Sequence, residues 1–233
     1  MEKETLFCSA VIVAAGSGKR MGADRPKQFL ELLGKTIIER TAAVFSGCKS
    51  IDEIIIVSSE AGLGECKKLL TNIDKPVKYV LGGSERYESV HNGIMAVDKD
   101  CDIILIHDGV RPFVTEQIIE ASIDDAVKYG ACAVGVKSKD TVKICGGDGF
   151  VEYTPDRETV YNIQTPQTFR RELIERAYKK AFETGIFGTD DASLAENAGI
   201  PVKMTKGSYD NIKITTPDDL LVGEKILNGG GGH

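Results

Sequence analysis

The stretch VIVAAGSGKRMGADRPKQF, Val11 to Phe29, concentrates small residues and cations. Ala14, Ala15, Gly16, Ser17 and Gly18 carry no bulky side chain, so backbone N–H groups there can approach an anion closely. Lys19, Arg20, Arg25 and Lys27 follow, and Pro26 fixes the backbone beside Lys27. These residue types in this order suit a polyphosphate cradle that also supplies cations to a transition state. A solvated basic turn on an acidic protein is the plainer alternative.

Two familiar glycine-rich patterns fit this loop badly. A dinucleotide fingerprint needs a third glycine where Met21 stands, and the acidic ribose partner expected about 20 residues further on is not clear. A P-loop needs a glycine where Val13 stands and a magnesium-holding hydroxyl where Arg20 stands. Both patterns fail at positions that carry their mechanism.

Other stretches could meet the same ligand. In HDGVRPF (107–113), Asp108 could hold magnesium or a sugar hydroxyl, and Arg111 a phosphate or ribose-side oxygen; a strand-end salt bridge is the alternative. His107 reads as a structural neighbour rather than a base. GGSERYESV (82–90) joins a glycine pair to a helix start, with Ser84 as a possible cap. In YNIQTPQTF (161–169), Gln164 and Thr165 precede Pro166 and read as a rigid polar turn. In GTDDASLAE (188–196), Thr189 reads as a helix N-cap with Asp190 and Asp191 in the first turn. Lys213 falls in NIKIT, read as a short strand.

Elements that could position these residues follow from the patterning. Strands are expected at 9–14, 53–59, 77–83, 102–109 and 131–136, and helices at 36–45, 63–70, 85–97 and 115–130. Thr36 and Glu39 form a capping box. Strands apolar throughout, joined by helical crossovers, indicate a parallel sheet covered on both faces. The pattern then breaks. TVKICGGDGFVEYT (141–154) reads as two short strands around a glycine turn. An isolated hairpin is marginal in water, so another subunit is a good candidate for its partner. Helices at 169–183 and 189–198, two short strands and a last helix started by Thr216, Pro217 and Asp219 complete the chain. The expected fold is α/β: one Rossmann-like domain (1–228) with a mostly parallel sheet flanked by helices, a protruding hairpin dimerisation arm at about 138–158, and a flexible tail at 229–233.

The chain has 233 residues and a net charge of -6, which gives no general affinity for nucleic acid or anionic membranes. No apolar run approaches the ~18 residues of a membrane span, and the first residues lack a signal-peptide core. Six scattered cysteines without a Cys-x-x-Cys read as reduced buried thiols of a cytoplasmic protein. With three histidines and no Cys/His grouping, a structural zinc site is not expected.

Taken in order, AAGSGKRMGADRPKQF, GGSERYESV, HDGVRPF, DRETVYNIQTPQTF, GTDDASLAE and GSYDNIKITTPDDL cover nearly the whole chain. Together they resemble the sugar-phosphate nucleotidyltransferases and, more narrowly, the 2-C-methyl-D-erythritol 4-phosphate cytidylyltransferases of the non-mevalonate isoprenoid pathway. The resemblance implies CTP and methylerythritol phosphate as substrates, with pyrophosphate released, and magnesium bound mainly through the CTP phosphates. It implies that Gly83, Ser84 and Ser89, with Ala14 and Ala15, recognise cytosine, while Gly16, Ser17 and Gly18 face the phosphates. Arg20 and Lys27 become the transition-state cations; Arg157, Lys213, Asp108, Arg111, Thr165 and Thr189 position the second substrate. Asp108 is also the candidate magnesium ligand. If the arm crosses a homodimer, Arg157 serves the neighbouring site. The alternative is a ribitol-5-phosphate cytidylyltransferase, which shares the loop, the HD strand end and the TPQ turn.

Overall fold

In a computed structural model, residues 6–16 and 25–230 are described. The elements in chain order are β1 (Cys8–Val13), β2 (Glu31–Leu32), β3 (Lys35–Thr36), α1 (Ile37–Gly47), β4 (Glu53–Ser58), α2 (Glu60–Leu69), β5 (Val77–Leu81), α3 (Arg86–Ile94), β6 (Ile103–Asp108), α4 (Glu116–Tyr129) and β7 (Ala131–Lys137). Then come β8 (Ile144–Cys145), β9 (Val151–Tyr153), β10 (Tyr161–Arg170), α5 (Arg171–Thr184), α6 (Asp191–Asn197), β11 (Lys203–Lys206) and α7 (Pro217–Lys225).

Seven strands form one sheet in the order β11-β7-β10-β6-β1-β4-β5. All neighbours run parallel except β10, which is antiparallel to both β6 and β7. Alternation along the central strands builds two cores. Ala10, Ile12, Ile54, Ile56 and Leu105 face one side with Ile38, Phe45 and Ile119 from α1 and α4. Val11, Ile55, Val57, Ile104 and Ile106 face the other with Val90, Ile94, Ile174 and Tyr178 from α3 and α5. Both faces are covered, so the polar residues these strands do carry, Ser9, Glu53, Ser58, His107 and Asp108, are buried with them. Caps set the helix starts: the Thr36–Glu39 capping box at α1, and Thr216 with Asp219 around Pro217 at α7.

Several local expectations need correction. Residues 161–169 are not a turn but most of β10, ten residues long. The segment lacks apolar alternation because Gln164, Thr165, Gln167 and Thr168 are buried polar groups held by specific bonds. Its register shifts between Ile163 and Gln167, around Pro166, which has no N–H for the ladder. Residues 211–215 form no strand; Ile214 N–H bonds the Val110 carbonyl and its side chain is buried. The hairpin is shorter than expected, two residues in β8 against three in β9. Five cysteines are buried as free thiols, but Cys145, on β8, is exposed. Of the expected tail at 229–233, Gly229 and Gly230 end a wider turn, 226–230, that follows α7, and 231–233 lie outside the described residues.

Candidate functional site

The chain runs from β1 to β4 and β5 on one side, then returns to place β6 on the other side of β1. Ligands of open α/β sheets bind at the carboxyl edge beside such a reversal. Ala14–Gly16 leave β1 there, and Asp108 ends β6 there. Two cavities meet at this edge. One, of about 200 Å³, is lined by Ala14, Ala15, Gly16, Lys27, Gly83, Ser84 and Ser89, among others. The other, of about 260 Å³, is lined by Arg111, Thr165, Gln167, Thr189 and Asp190, among others. Arg86, Asp108 and Lys213 line both.

Backbone and small side chains shape the first cavity. The Ala14 carbonyl accepts from Gln28 Nε2 at 2.7 Å and from Ser58 Oγ at 3.0 Å, which fixes the exit of β1. Gly82 lies so close that a Cβ there would fall 2.8 Å from Ala15 Cβ and 2.9 Å from Ser89 Oγ. At Gly16 the same atom would meet open space, so the loop leaves room in front of its backbone. Ser89 is buried; its hydroxyl accepts from Gly83 N–H at 3.0 Å and donates to the Glu85 carbonyl at 3.1 Å, tying the glycine pair to α3. Ser84 is not the cap of α3: Glu85 is, and Ser84 donates from both N–H and hydroxyl to the Glu88 carboxylate.

Charged side chains build the shared wall and the second cavity. Asp108 Oδ2 lies 2.8 Å from Lys213 Nζ and 3.5 Å from Arg111 Nε, and Oδ1 lies 3.7 Å from Arg86 Nε. Burial alone would raise the Asp108 pKa, but Lys213, then Arg86 and Arg111, hold it well below the usual carboxylate range. Arg86 also donates from Nη2 to Asp191 at 2.8 Å; Asp191 is fully buried and takes a second bond from the Tyr178 hydroxyl at 2.7 Å. Burial works against the Arg86 charge, yet Asp191 and Asp108 together raise its pKa. Beneath them, Asn211 Nδ2 donates to the Thr165 carbonyl, and Arg111 Nη1 to the Asn211 carbonyl. The N-cap of α6 is Asp190, not Thr189, because the Asp190 side chain accepts from Ser193 N–H. Thr189 stays exposed at the cavity rim. Gln167 clamps this helix start, donating to Asp190 and accepting from Ala192 N–H, both at 2.8 Å.

A cleft of small residues and backbone at the β1 exit thus adjoins one lined by charged side chains, with Arg86, Asp108 and Lys213 common to both. A family model for 2-C-methyl-D-erythritol 4-phosphate cytidylyltransferase (IspD) matches residues 8–229. The chain belongs to that family. A relative of the same name from Caldanaerobacter subterraneus subsp. tengcongensis is 48% identical over 222 residues, covering 94% of this chain and 98% of the relative. One from Clostridioides difficile is 47% identical over 222 residues, covering 94% of this chain and 93% of the relative. Among solved structures, 4-diphosphocytidyl-2C-methyl-D-erythritol synthase from Anaerococcus prevotii superposes with a TM-score of 0.89 at 39% identity, covering 97% of each chain. A 2-C-methyl-D-erythritol 4-phosphate cytidylyltransferase from Thermus thermophilus gives 0.76 at 27% identity, covering 96% of this chain and all of that one.

In this member of the cytidylyltransferase family, Ala14, Ala15, Gly16, Lys27, Gly83, Ser84 and Ser89 gather at the first cavity, and Asp108, Arg111, Thr165, Thr189 and Lys213 at the second. Ser17, Gly18 and Arg20 lie outside the described residues. Arg157 lines neither cavity; it is exposed in a short 3-10 turn below the hairpin, beside Glu158, which pairs with Lys137. Sequence reasoning missed Gln28, Arg86, Gln167, Asp191 and Asn211. Gln28 stands inside the basic stretch Val11 to Phe29, but its role depends on reaching Ala14. Arg86 and Asp191 are 105 positions apart, a pairing that no local spacing signals.

Proposed function

We propose that the chain transfers the cytidylyl group of CTP to 2-C-methyl-D-erythritol 4-phosphate, giving 4-CDP-2-C-methyl-D-erythritol and pyrophosphate. The observation that carries this reading is the pair of cavities sharing Arg86, Asp108 and Lys213. Two substrates can face each other across that wall. A phosphate oxygen of methylerythritol phosphate forms a bond to the α-phosphorus of CTP. The bond from that phosphorus to the bridging oxygen breaks, and pyrophosphate leaves with the electron pair. The attacking phosphate is already ionised, so no Ser, Cys or His nucleophile is required. The protein's task is positioning and stabilising charge on the α-phosphate. Lys27, on the first cavity, and Arg20 supply the cations. Lys213 and Arg111 sit on the acceptor side, with Thr165 and Thr189 facing the alditol.

Asp108 does not fit the task of a magnesium ligand. Magnesium favours a carboxylate whose charge is not already neutralised, and Asp108 faces three cations: Lys213 at 2.8 Å and Arg111 at 3.5 Å from Oδ2, and Arg86 at 3.7 Å from Oδ1. We therefore take magnesium to arrive on the CTP phosphates, as part of that substrate. Asp108 instead sets the positions of the three cations.

The reading extends to a homodimer in the cytoplasm. The hairpin leaves Ile144, Phe150, Val151 and Tyr153 exposed, apolar surface suited to a second copy. Arg157, beside it, would then complete the neighbour's acceptor cavity. Among the described residues no helix is long and apolar enough to cross a membrane. The test is pyrophosphate release with CTP and either methylerythritol phosphate or ribitol 5-phosphate. Faster release with methylerythritol phosphate is expected; the reverse preference overturns the assignment.

A further inference from the structure

His107 is fully buried at the end of β6, packed on the Phe45 ring with centroids 4.8 Å apart. Its Nε2 lies 3.1 Å from the Arg111 carbonyl oxygen, and its Nδ1 lies 3.0 Å from Thr165 Oγ1. Thr165 Oγ1 also accepts from Asp108 N–H at 3.1 Å. A carbonyl oxygen can only accept, so the proton of a neutral imidazole must sit on Nε2. Nδ1 is then an acceptor, and the Thr165 hydroxyl donates its single hydrogen to it.

We propose that His107 is a positioning residue that makes Thr165 a hydrogen-bond acceptor only, so that the second substrate meets Thr165 with a hydroxyl group and turns its phosphate elsewhere. This rests on the cytidylyl-transfer reading above. Thr165 lines the acceptor cavity with one lone pair unassigned. An ionised phosphate oxygen also carries only lone pairs, so the two repel. Lys213, on the wall shared with the first cavity, offers donors instead. The alditol therefore lies toward Thr165 and the phosphate toward Lys213, the side from which attack on CTP can occur. Were His107 doubly protonated, Thr165 would accept from both neighbours and its hydrogen would be released toward the cavity. Burial opposes that state and lowers the His107 pKa to about 4; Asp108 favours the charge, while Arg111 and Lys213 oppose it.

Two measurements test this. The first needs no substrate: 15N NMR of the histidine-labelled full chain, with H91N removing one of the other two imidazole signals. His107 is expected as the neutral Nε2–H form from pH 8 to pH 6; the Nδ1–H tautomer or an imidazolium overturns the proposal. The second uses methylerythritol phosphate analogues in which one hydroxyl at a time is replaced by fluorine, which cannot donate. For one position the wild-type kcat/KM is expected to fall about tenfold, the scale of one lost hydrogen bond, and less than about threefold in T165V. If no position shows a loss that depends on Thr165, the proposal fails. Failure of the wild-type chain to use methylerythritol phosphate itself would instead sink the cytidylyl-transfer reading, leaving the NMR result to judge the tautomer. Variants at His107 separate its two bonds. H107N keeps an acceptor near Nδ1, and H107Q keeps a donor near the Arg111 carbonyl. H107Q is expected to raise the acceptor KM about tenfold and H107N less than about threefold, with KM for CTP unmoved; equal effects of the two would count against the polarity argument.

Discussion

The first cavity is walled by the turns that follow β1 and β5, while the second is walled by side chains from β6, β10 and the segments around 111, 189 and 213. Turns made of Ala, Gly and Ser bring backbone to a ligand and need few side chains held in place. The second cavity needs long charged groups, and these must be restrained. Asp108 restrains three of them, and Asp191 holds Arg86 from the far side. The contrast teaches how one sheet edge can serve two partners. Under the proposed function, a nucleotide, rich in phosphates, would be met by backbone and a few cations. A small alditol phosphate, offering hydroxyls and one phosphate, would be met by a rigid arrangement of side chains.

Under the proposed reaction Lys27 is the exception on the first side, a lining side chain whose charge would act on the α-phosphate. Lys27→Ala is expected to lower kcat about 10²-fold or more, the scale of removing one preorganised charge stabiliser. Steady-state turnover near the wild-type value would show that the first cavity works without it. Stability against pH probes the buried floor of the second cavity. The His107 pKa drops from 6.5 to about 4 on folding, chiefly through burial. A depressed histidine pKa means that the unfolded chain binds the proton more readily. The stabilisation is complete above pH 6.5 and is lost as pH falls toward 4, by about 3 kcal/mol. Asp108, also held low, adds its own loss only below its ordinary 3.8. Urea titrations at successive pH values should show the upper limb in the wild type and a flatter one in H107N. Identical limbs would place the acid sensitivity elsewhere.

A smaller effect is expected at Arg157. Arg157→Ala should raise KM for methylerythritol phosphate about tenfold and leave KM for CTP nearly unmoved, the scale of removing one charged hydrogen bond that positions a substrate. Equal damage to both would deny that the second cavity is the one completed by the arm. Mixing Arg157→Ala with Lys27→Ala chains sharpens the test. Assayed with methylerythritol phosphate well below KM, random mixed pairs hold one intact site if Arg157 acts across a dimer, restoring about a quarter of the wild-type rate. No recovery after exchange would confine Arg157 to its own chain.

The first cavity was largely legible in the sequence, because glycines and small residues after an apolar strand are contiguous. The parallel sheet was legible for the same reason, since dry strands and capped helices are local patterns. What escaped was assembled at long range. β10 reads as a polar turn because its buried Gln164, Thr165, Gln167 and Thr168 are satisfied by partners from other parts of the chain. Lys213 reads as part of a short strand; Asp108, 105 residues earlier by their numbering, is what orients it. Arg86 and Asp191 carry no signal at all, because a buried ion pair looks in sequence like two surface charges.

The smallest expected effect discriminates most finely between the two cavities. Ser84 lines the first cavity, yet its hydroxyl donates to Glu88 Oε2 at 2.7 Å, as does its own N–H. That engagement lowers the Glu88 pKa, with the Ser84 hydroxyl as the leading cause. Ser84 thus shapes the turn before α3, and Glu88 can keep the bond to the backbone N–H when the hydroxyl is removed. Ser84→Ala is therefore expected to raise KM for CTP less than about threefold, the range of exposed substitutions that leave the backbone in place. A tenfold rise would mean that the first cavity also recognises its ligand through side-chain hydroxyls. Backbone would then be only part of its design, and the contrast with the second cavity would be one of degree.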